Sequence, residues 1–354
     1  MKDFYAEKRV LVTGHTGFKG GWLCLWLKQL GASVIGFSMA PGGDPNLFEL
    51  AQVGDAVASQ VGDIRDAARL YSVIEETQPS LVFHLAAQPL VRLSYADPVG
   101  TFSTNVMGTV HLLEAVRHVA SVRGVVVVTS DKCYDNKEWL WGYRENEAMG
   151  GADPYSASKG CAELVTAAYR RSFAKPESGP FIASARAGNV FGGGDWSDDR
   201  LIPDIAKAVM KGEPVMIRNP LAVRPWQHVL EPLSGYLLLG QKLFSGQPMW
   251  ADAWNFGPEA GADLTAGELA ETVVERWGKG KLSVQPDARA PHEAHLLRLD
   301  SSKAHRLLKW RPVLSIGEAI SWTVDWYRAF ERAPNMMRKV TTSQIDQYLE
   351  RLTW

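Results

Sequence analysis

Arg9-Val10-Leu11-Val12-Thr13-Gly14-His15-Thr16-Gly17-Phe18-Lys19-Gly20 is the stretch that decides the fold. Val10-Leu11-Val12 is short, apolar and β-branched, which suits a strand buried on both faces. The three glycines follow at once, in GxxGxxG spacing. Gly21 to Leu30 then predicts a helix, closed by Gly31. A strand, a glycine turn and a helix in that order make the phosphate-binding βα unit. Glycine lets the backbone turn tightly and approach a ligand closely, and the helix N-terminus offers free N–H groups to a pyrophosphate. Gly14, His15, Thr16, Gly17, Phe18 and Gly20 are therefore candidate dinucleotide contacts. Lys19 can lie near the phosphates or simply be a solvated loop charge.

The same alternation continues outward. Strands are predicted at Ser33 to Phe37, Val57 to Val61, Leu81 to Leu85 and Gly124 to Thr129. Helices are predicted at Asp66 to Glu76, Val99 to Val119 and Tyr155 to Phe173. This implies an α/β fold built on a doubly wound parallel sheet of the Rossmann type, with ligands at the C-terminal ends of the strands. After about residue 190 glycine, proline and aspartate become frequent. Residues 1–190 read as the dinucleotide-binding domain with the catalytic residues. Residues 191–354 read as a smaller mixed substrate-binding region, interleaved with the sheet.

Composition narrows the partners. The formal net charge is −1, so no broad basic field exists for nucleic acid or an anionic membrane. The apolar runs are too short to span a bilayer, and the charged N-terminus does not read as a signal peptide. Cys24, Cys133 and Cys161 show no CxxC spacing, so neither a metal site nor a disulfide framework is indicated, and a cytoplasmic setting is expected.

Tyr155-Ser156-Ala157-Ser158-Lys159 puts a phenol and an ammonium on one helix face at i and i+4. A phenol titrates near ~10 and is a poor base at neutral pH unless a cation such as Lys159 lowers it. The predicted second strand ends at Phe37-Ser38-Met39, where an acidic residue would normally hold the adenosine ribose. No Arg or Lys lies between Lys28 and Arg65, so a 2′-phosphate has no local partner. NAD is favoured over NADP.

Together these motifs resemble the extended short-chain dehydrogenase/reductase family, and within it the 4,6-dehydratases of the CDP-glucose type. The resemblance rests on Thr13 to Gly20, Ala86-Ala87-Gln88-Pro89-Leu90-Val91, Ser130-Asp131-Lys132-Cys133-Tyr134, Tyr155/Lys159, Arg224-Pro225-Trp226-Gln227-His228-Val229 and Pro291-His292-Glu293-Ala294, and it runs over nearly the whole chain. It implies cofactor contacts from Asp63, Ile64, Leu85, Ala86, Ala87, Tyr155 and Lys159, with Asp63 at the adenine. Asp63 can instead be a helix N-cap, although Asp66 could fill that role. The resemblance also puts Asn189 near the substrate phosphates and CDP-glucose in the site. Arg224 is the best diphosphate clamp by guanidinium geometry. Gln88, Arg200, Arg218 and His292 are further substrate candidates. A homodimer or higher homo-oligomer, paired through the helices around Asn105 and Tyr155, and a place in deoxysugar formation for lipopolysaccharide O-antigen are family expectations.

Ser130 stands where the family usually has threonine and keeps the hydroxyl. Asp131 and Lys132 are the informative pair, because epimerases of the family carry small residues there. A 4,6-dehydratase oxidises C4, removes the C5 proton, expels the C6 hydroxyl and returns hydride to C6. Asp131 suits the acid if it is buried, since burial disfavours the ionised carboxylate. Lys132, where related dehydratases carry Glu, is either the C5 base or a cation that steadies the enolate. A 4-epimerase, a dehydratase of another nucleotide-glucose and a redox-sensing binding protein are the competing readings.

Overall fold

The computed structural model describes residues 1–173, 179–259, 263–284 and 295–352. Seven strands form one parallel sheet: β1 (Arg9–Thr13), β2 (Ser33–Ser38), β3 (Ala58–Val61), β4 (Leu81–His84), β5 (Gly124–Val128), β6 (Phe181–Arg186) and β7 (Ala253–Asn255). Their order is β7-β6-β5-β4-β1-β2-β3. The winding reverses between β1 and β4, and a crevice opens at that seam.

The β-branched run in β5 explains why it lies near the centre. All five of its residues are buried. Val126 and Val128 enter one core, and Val125 and Val127 enter the core on the opposite face. Helices α1 (Phe18–Gln29), α2 (Ala67–Thr77), α3 (Gly108–Val116) and α4 (Pro154–Phe173) alternate with these strands. Residues after 190 supply β7, helix α5 (Leu230–Phe244), and the C-terminal pair α6 (Ile316–Arg332) and α7 (Met337–Arg351). On α1, every residue from Gly20 to Leu27 is buried, because α5 and α7 cover the side that the sheet does not.

Two helices differ from expectation. Helix α1 begins at Phe18, three residues early, because the Gly17 amide closes a turn onto the Gly14 carbonyl and the chain is helical from there. The long helix expected at Val99 to Val119 is broken into Pro98–Phe102, a π-turn at Ser103–Met107, and α3. The wide turn presents Asn105, which is 2% exposed. Its Oδ1 accepts from the Gln88 amide at 2.8 Å, and its Nδ2 donates to the Gln88 carbonyl and to Ser158 Oγ. A π-turn here ties the loop after β4 to α4.

The C-terminal helices dock through one buried carboxyl. Glu231 on α5 accepts from the Val313 and Leu314 amides at 3.0 and 2.7 Å, and from the Tyr348 hydroxyl at 2.6 Å. Burial pushes its titration up to about 7, against the pull of those three donors. The folded chain therefore holds a proton that the unfolded chain releases at lower pH. The stability from that proton is present below the unfolded value and is lost as pH rises through about 7. Glu231→Gln mimics the protonated form. Its melting temperature should match wild type at acid pH and exceed it at alkaline pH; a difference that does not change with pH refutes the coupling.

Candidate active site

One cavity of about 1740 Å³ runs along the C-terminal ends of β1, β2, β4 and β5. Its floor is the glycine turn. A Cβ on Gly20 would sit 2.0 Å from the Gly14 carbonyl oxygen, and one on Gly14 would meet the Ala86 amide at 2.7 Å. The turn approaches the loop after β4 closely only because Gly14 carries no side chain there. Thr13 Oγ1 accepts from the Ala86 amide and also bonds His84 Nδ1, which fixes that loop.

Gly14, Thr16, Gly17, Phe18, Gly20, Asp63, Ile64, Leu85, Ala86 and Ala87 all line the cavity. At the expected ribose end the lining runs through Ser38, Met39, Ala40, Gly42, Gly43 and Asp44, with no cation among them. Thr16 Oγ1 bonds Ser38 Oγ at 2.8 Å. Asp63 faces the cavity with its carboxylate gripped by Arg65, whose hydrogen bonds hold it below the usual range against a smaller opposing effect of burial. Asp66, not Asp63, is the N-cap of α2, accepting from the Arg69 amide at 3.0 Å.

His15 points elsewhere. Its ring packs over Gly36 and its Nε2 bonds Ser59 Oγ at 2.7 Å, so it braces β2 and β3 rather than the cavity. Gln88 is also used internally: its amide bonds Leu90 and Thr101 and shapes the loop. His292 lies outside the described residues.

Strand β5 delivers the reactive turn. Thr129 still donates its amide to Ala185 of β6, and the chain then breaks into a short 3-10 turn at Asp131–Cys133. Ser130 Oγ donates to Asp131 Oδ1 at 2.9 Å and lies within hydrogen-bonding reach of the Tyr155 phenol. Asp131 is 1% exposed, and its Oδ2 has no partner among the described residues. Gly188 leaves the room for it: a Cβ there would fall 1.8 Å from that oxygen. Lys132 lines the same cavity, half-buried.

Tyr155 and Lys159 come from the start of α4. Asp153 caps this helix, accepting from the Ser156 amide at 2.9 Å, and Pro154 opens it. The lowered phenol expected from Lys159 is not found. Burial pushes Tyr155 up to about 12, with Ser130 and Arg200 opposing it and Asp131 and Asp153 adding to it. Burial also lowers Lys159 to about 8. Lys19, which the sequence left undecided, enters the cavity; burial first, then Arg200 and Lys159, lower it to about 7. Its signal in the sequence was only its place inside the glycine turn.

The far wall carries the phosphate candidates. Asn189 sits at φ 45° with its Nδ2 buried and without a partner among the described residues. Arg224 is 6% exposed and donates to the Val223 carbonyl. Arg200 bridges Asp195 at 3.3 Å and the Pro89 carbonyl. Arg218 is held by Asp199 at 2.6 Å and by Asp204 at 3.4 Å, so an incoming anion must displace those carboxylates. Among the described residues no group of three or more metal-ligating side chains is found, and no helix is long and apolar enough to cross a membrane.

Residues 11–323 match the GDP-mannose 4,6 dehydratase family. The chain belongs to that family. It is 50% identical to the CDP-glucose 4,6-dehydratase of Salmonella typhimurium over 99% of both chains. It is 31% identical to a dTDP-glucose 4,6-dehydratase of Streptomyces antibioticus over 77% of both chains. Among solved structures, the UDP-glucose 4-epimerase of Thermus thermophilus in complex with NAD superposes with a TM-score of 0.78 at 29% identity, covering 90% of this chain and 99% of that one.

The glycine floor makes a direct prediction. Gly20→Ala drives a methyl into the Gly14 carbonyl, so NAD binding, followed by titration calorimetry, should weaken by at least about tenfold, equivalent to ~1.4 kcal/mol. Unchanged affinity would mean that the dinucleotide lies elsewhere.

Proposed function

We propose that this protein converts CDP-D-glucose to CDP-4-dehydro-6-deoxy-D-glucose and water, with NAD held in the glycine-floored half of the cavity. The absence of cations between Lys28 and Arg65, with Asp44 on the lining, favours NAD over a cofactor carrying a 2′-phosphate. The 50% identical relative bears the name of this activity. Residues after 190 would bind most of the substrate, with Asn189, Arg200, Arg218 and Arg224 meeting its diphosphate.

The observation that carries the reading is Asp131: a buried carboxyl with one oxygen unpartnered among the described residues, hydrogen-bonded to Ser130 beside the Tyr155 phenol. An epimerase has no step that needs it. NAD would be held by Gly14, Gly17, Gly20 and Ala86 and would supply the hydride acceptor for C4 and the hydride donor for C6. Tyr155 takes the proton of the C4 hydroxyl while Ser130 orients that oxygen. Lys159 supplies positive charge beside the phenol, which is held high by burial. Once C4 is a ketone, the C5 proton becomes acidic, because the carbanion delocalises onto the carbonyl oxygen. Lys132 takes that proton as the base, and a proton returns to C5 as hydride reaches C6. Asp131 hands its proton to the departing C6 hydroxyl. The reaction is redox-neutral overall, so the cofactor recycles within each turnover.

A homodimer and a cytoplasmic setting belong to the same proposal. Val99, Phe102, Met107 and Leu164 are exposed on the helices around Asn105 and Tyr155, which suits pairing of two copies. All three cysteines are free.

Incubation with CDP-glucose and NAD should generate the alkali-dependent ultraviolet absorbance of a 4-keto-6-deoxy sugar. Formation of CDP-galactose would favour the epimerase, and much faster turnover of dTDP-glucose would overturn the base assignment. Asp131→Asn should still oxidise C4, seen as transient NADH, and lose water more slowly by about a hundredfold or more. Wild-type elimination in that variant removes Asp131 from the mechanism.

A further inference from the structure

Behind the reactive turn, and away from the cavity, lies a buried ion pair that the reaction as described does not use. Glu163 and Arg186 are each 3% exposed and meet at 2.8 Å. Glu163 is on α4, one helical turn beyond Lys159 and two beyond Tyr155. Arg186 ends β6.

Each partner has further ties, and these ties bracket the turn. Glu163 Oε1 accepts from Thr129 Oγ1 at 2.5 Å, and Thr129 immediately precedes Ser130. Glu163 Oε2 accepts from Ser184 Oγ at 2.7 Å as well as from Arg186. Arg186 Nη1 donates to the Tyr134 hydroxyl at 2.8 Å, and Tyr134 immediately follows Cys133. The Arg186 guanidinium also lies over the Tyr134 ring, 5.0 Å from its centre. Tyr134 in turn donates to Asn255 Oδ1 of β7 at 2.7 Å. One salt bridge therefore holds both ends of the Ser130–Cys133 segment.

Stability alone does not account for it. Taking two charges out of water costs several kcal/mol per ion, and an apolar pair of similar volume often serves as well or better. An apolar pair, however, has no directional bonds with which to hold Thr129 and Tyr134. Burial opposes the charge on Glu163, but Arg186, Thr129 and Ser184 outweigh it and keep the carboxyl ionised.

The two sets of reactive residues depend on this pair unequally. Tyr155 and Lys159 are fixed by α4 itself, with the Tyr155 amide bonded to Ser94 Oγ and Lys159 reaching the Val128 carbonyl. Asp131 and Lys132 ride on a three-residue turn, and of the residues that serve oxidation only Ser130, its cap, shares it. Resting on the dehydratase reading above, we propose that the Glu163–Arg186 pair is a positioning device for the elimination step, fixing Asp131 and Lys132 against the helix that carries Tyr155 and Lys159.

The test separates the two half-reactions. With CDP-glucose and NAD, Glu163→Gln should slow NADH formation, through Ser130, by no more than about tenfold, while water loss slows about a hundredfold, the scale expected for a misplacement near 1 Å. NADH should then accumulate in each turnover, with KM unchanged. Without ligands, amide exchange at Asp131 to Tyr134 should quicken while that of α4 stays as it was. Thr129→Val and Tyr134→Phe each remove one tie and keep the ion pair. They should show the same split in milder form, even if Glu163→Gln does not fold. Equal slowing of oxidation and elimination, or no slowing of either in the two milder variants, overturns the inference. A wild-type protein that makes no keto-deoxysugar would instead refute the functional reading itself.

Discussion

Strand β5 carries no polar side chain along its length, because helices cover both faces of the sheet and its five residues are all buried. Polar chemistry can begin only where the strand stops. The first side chains past that point are Thr129, Ser130, Asp131 and Lys132, and α4 crosses the same end with Tyr155 and Lys159. The site is thus a consequence of where a two-sided apolar strand must end. Everything else around it either holds that end in place or brings a ligand to it.

The cavity brings Lys19, Lys159, Arg200 and Arg224 together, and Lys19 and Lys159 are pushed down to about 7 and about 8 chiefly by burial. Such a field suits a pyrophosphate-bearing cofactor and a diphosphate-bearing substrate, each of which would bring negative charge to these cations. Tyr155 shows the opposite face of the same burial, which pushes its phenol up to about 12, so its use as a base depends on positive charge brought beside it.

Much of the fold was legible because it rests on period and punctuation. The glycine turn, the β-branched run of β5 and the Asp153-Pro154 helix start each have a local physical cause. The π-turn at Ser103–Met107 did not, since it answers to Asn105 bonding Gln88 and Ser158, residues far apart in the chain. The site was legible in its motifs and less so in its directions. His15 and Gln88 stand inside the right words, yet their side chains bond Ser59, Leu90 and Thr101. Lys19 looked like a loop charge and lies in the cavity. Spacing tells which residues are near; only packing tells where each side chain turns.

The dehydratase reading requires that one substrate molecule be oxidised at C4, lose water across C5 and C6, and regain the same hydride at C6. CDP-glucose carrying deuterium at C4 and carbon-13 throughout its glucose, turned over as a mixture with unlabelled substrate, tests this directly. Mass spectrometry of the product should find that deuterium in the C6 methyl group of the same molecule, with no crossover to unlabelled product and a solvent hydrogen at C5. Deuterium returned to C4, or found in product that lacks carbon-13, would rule that reaction out.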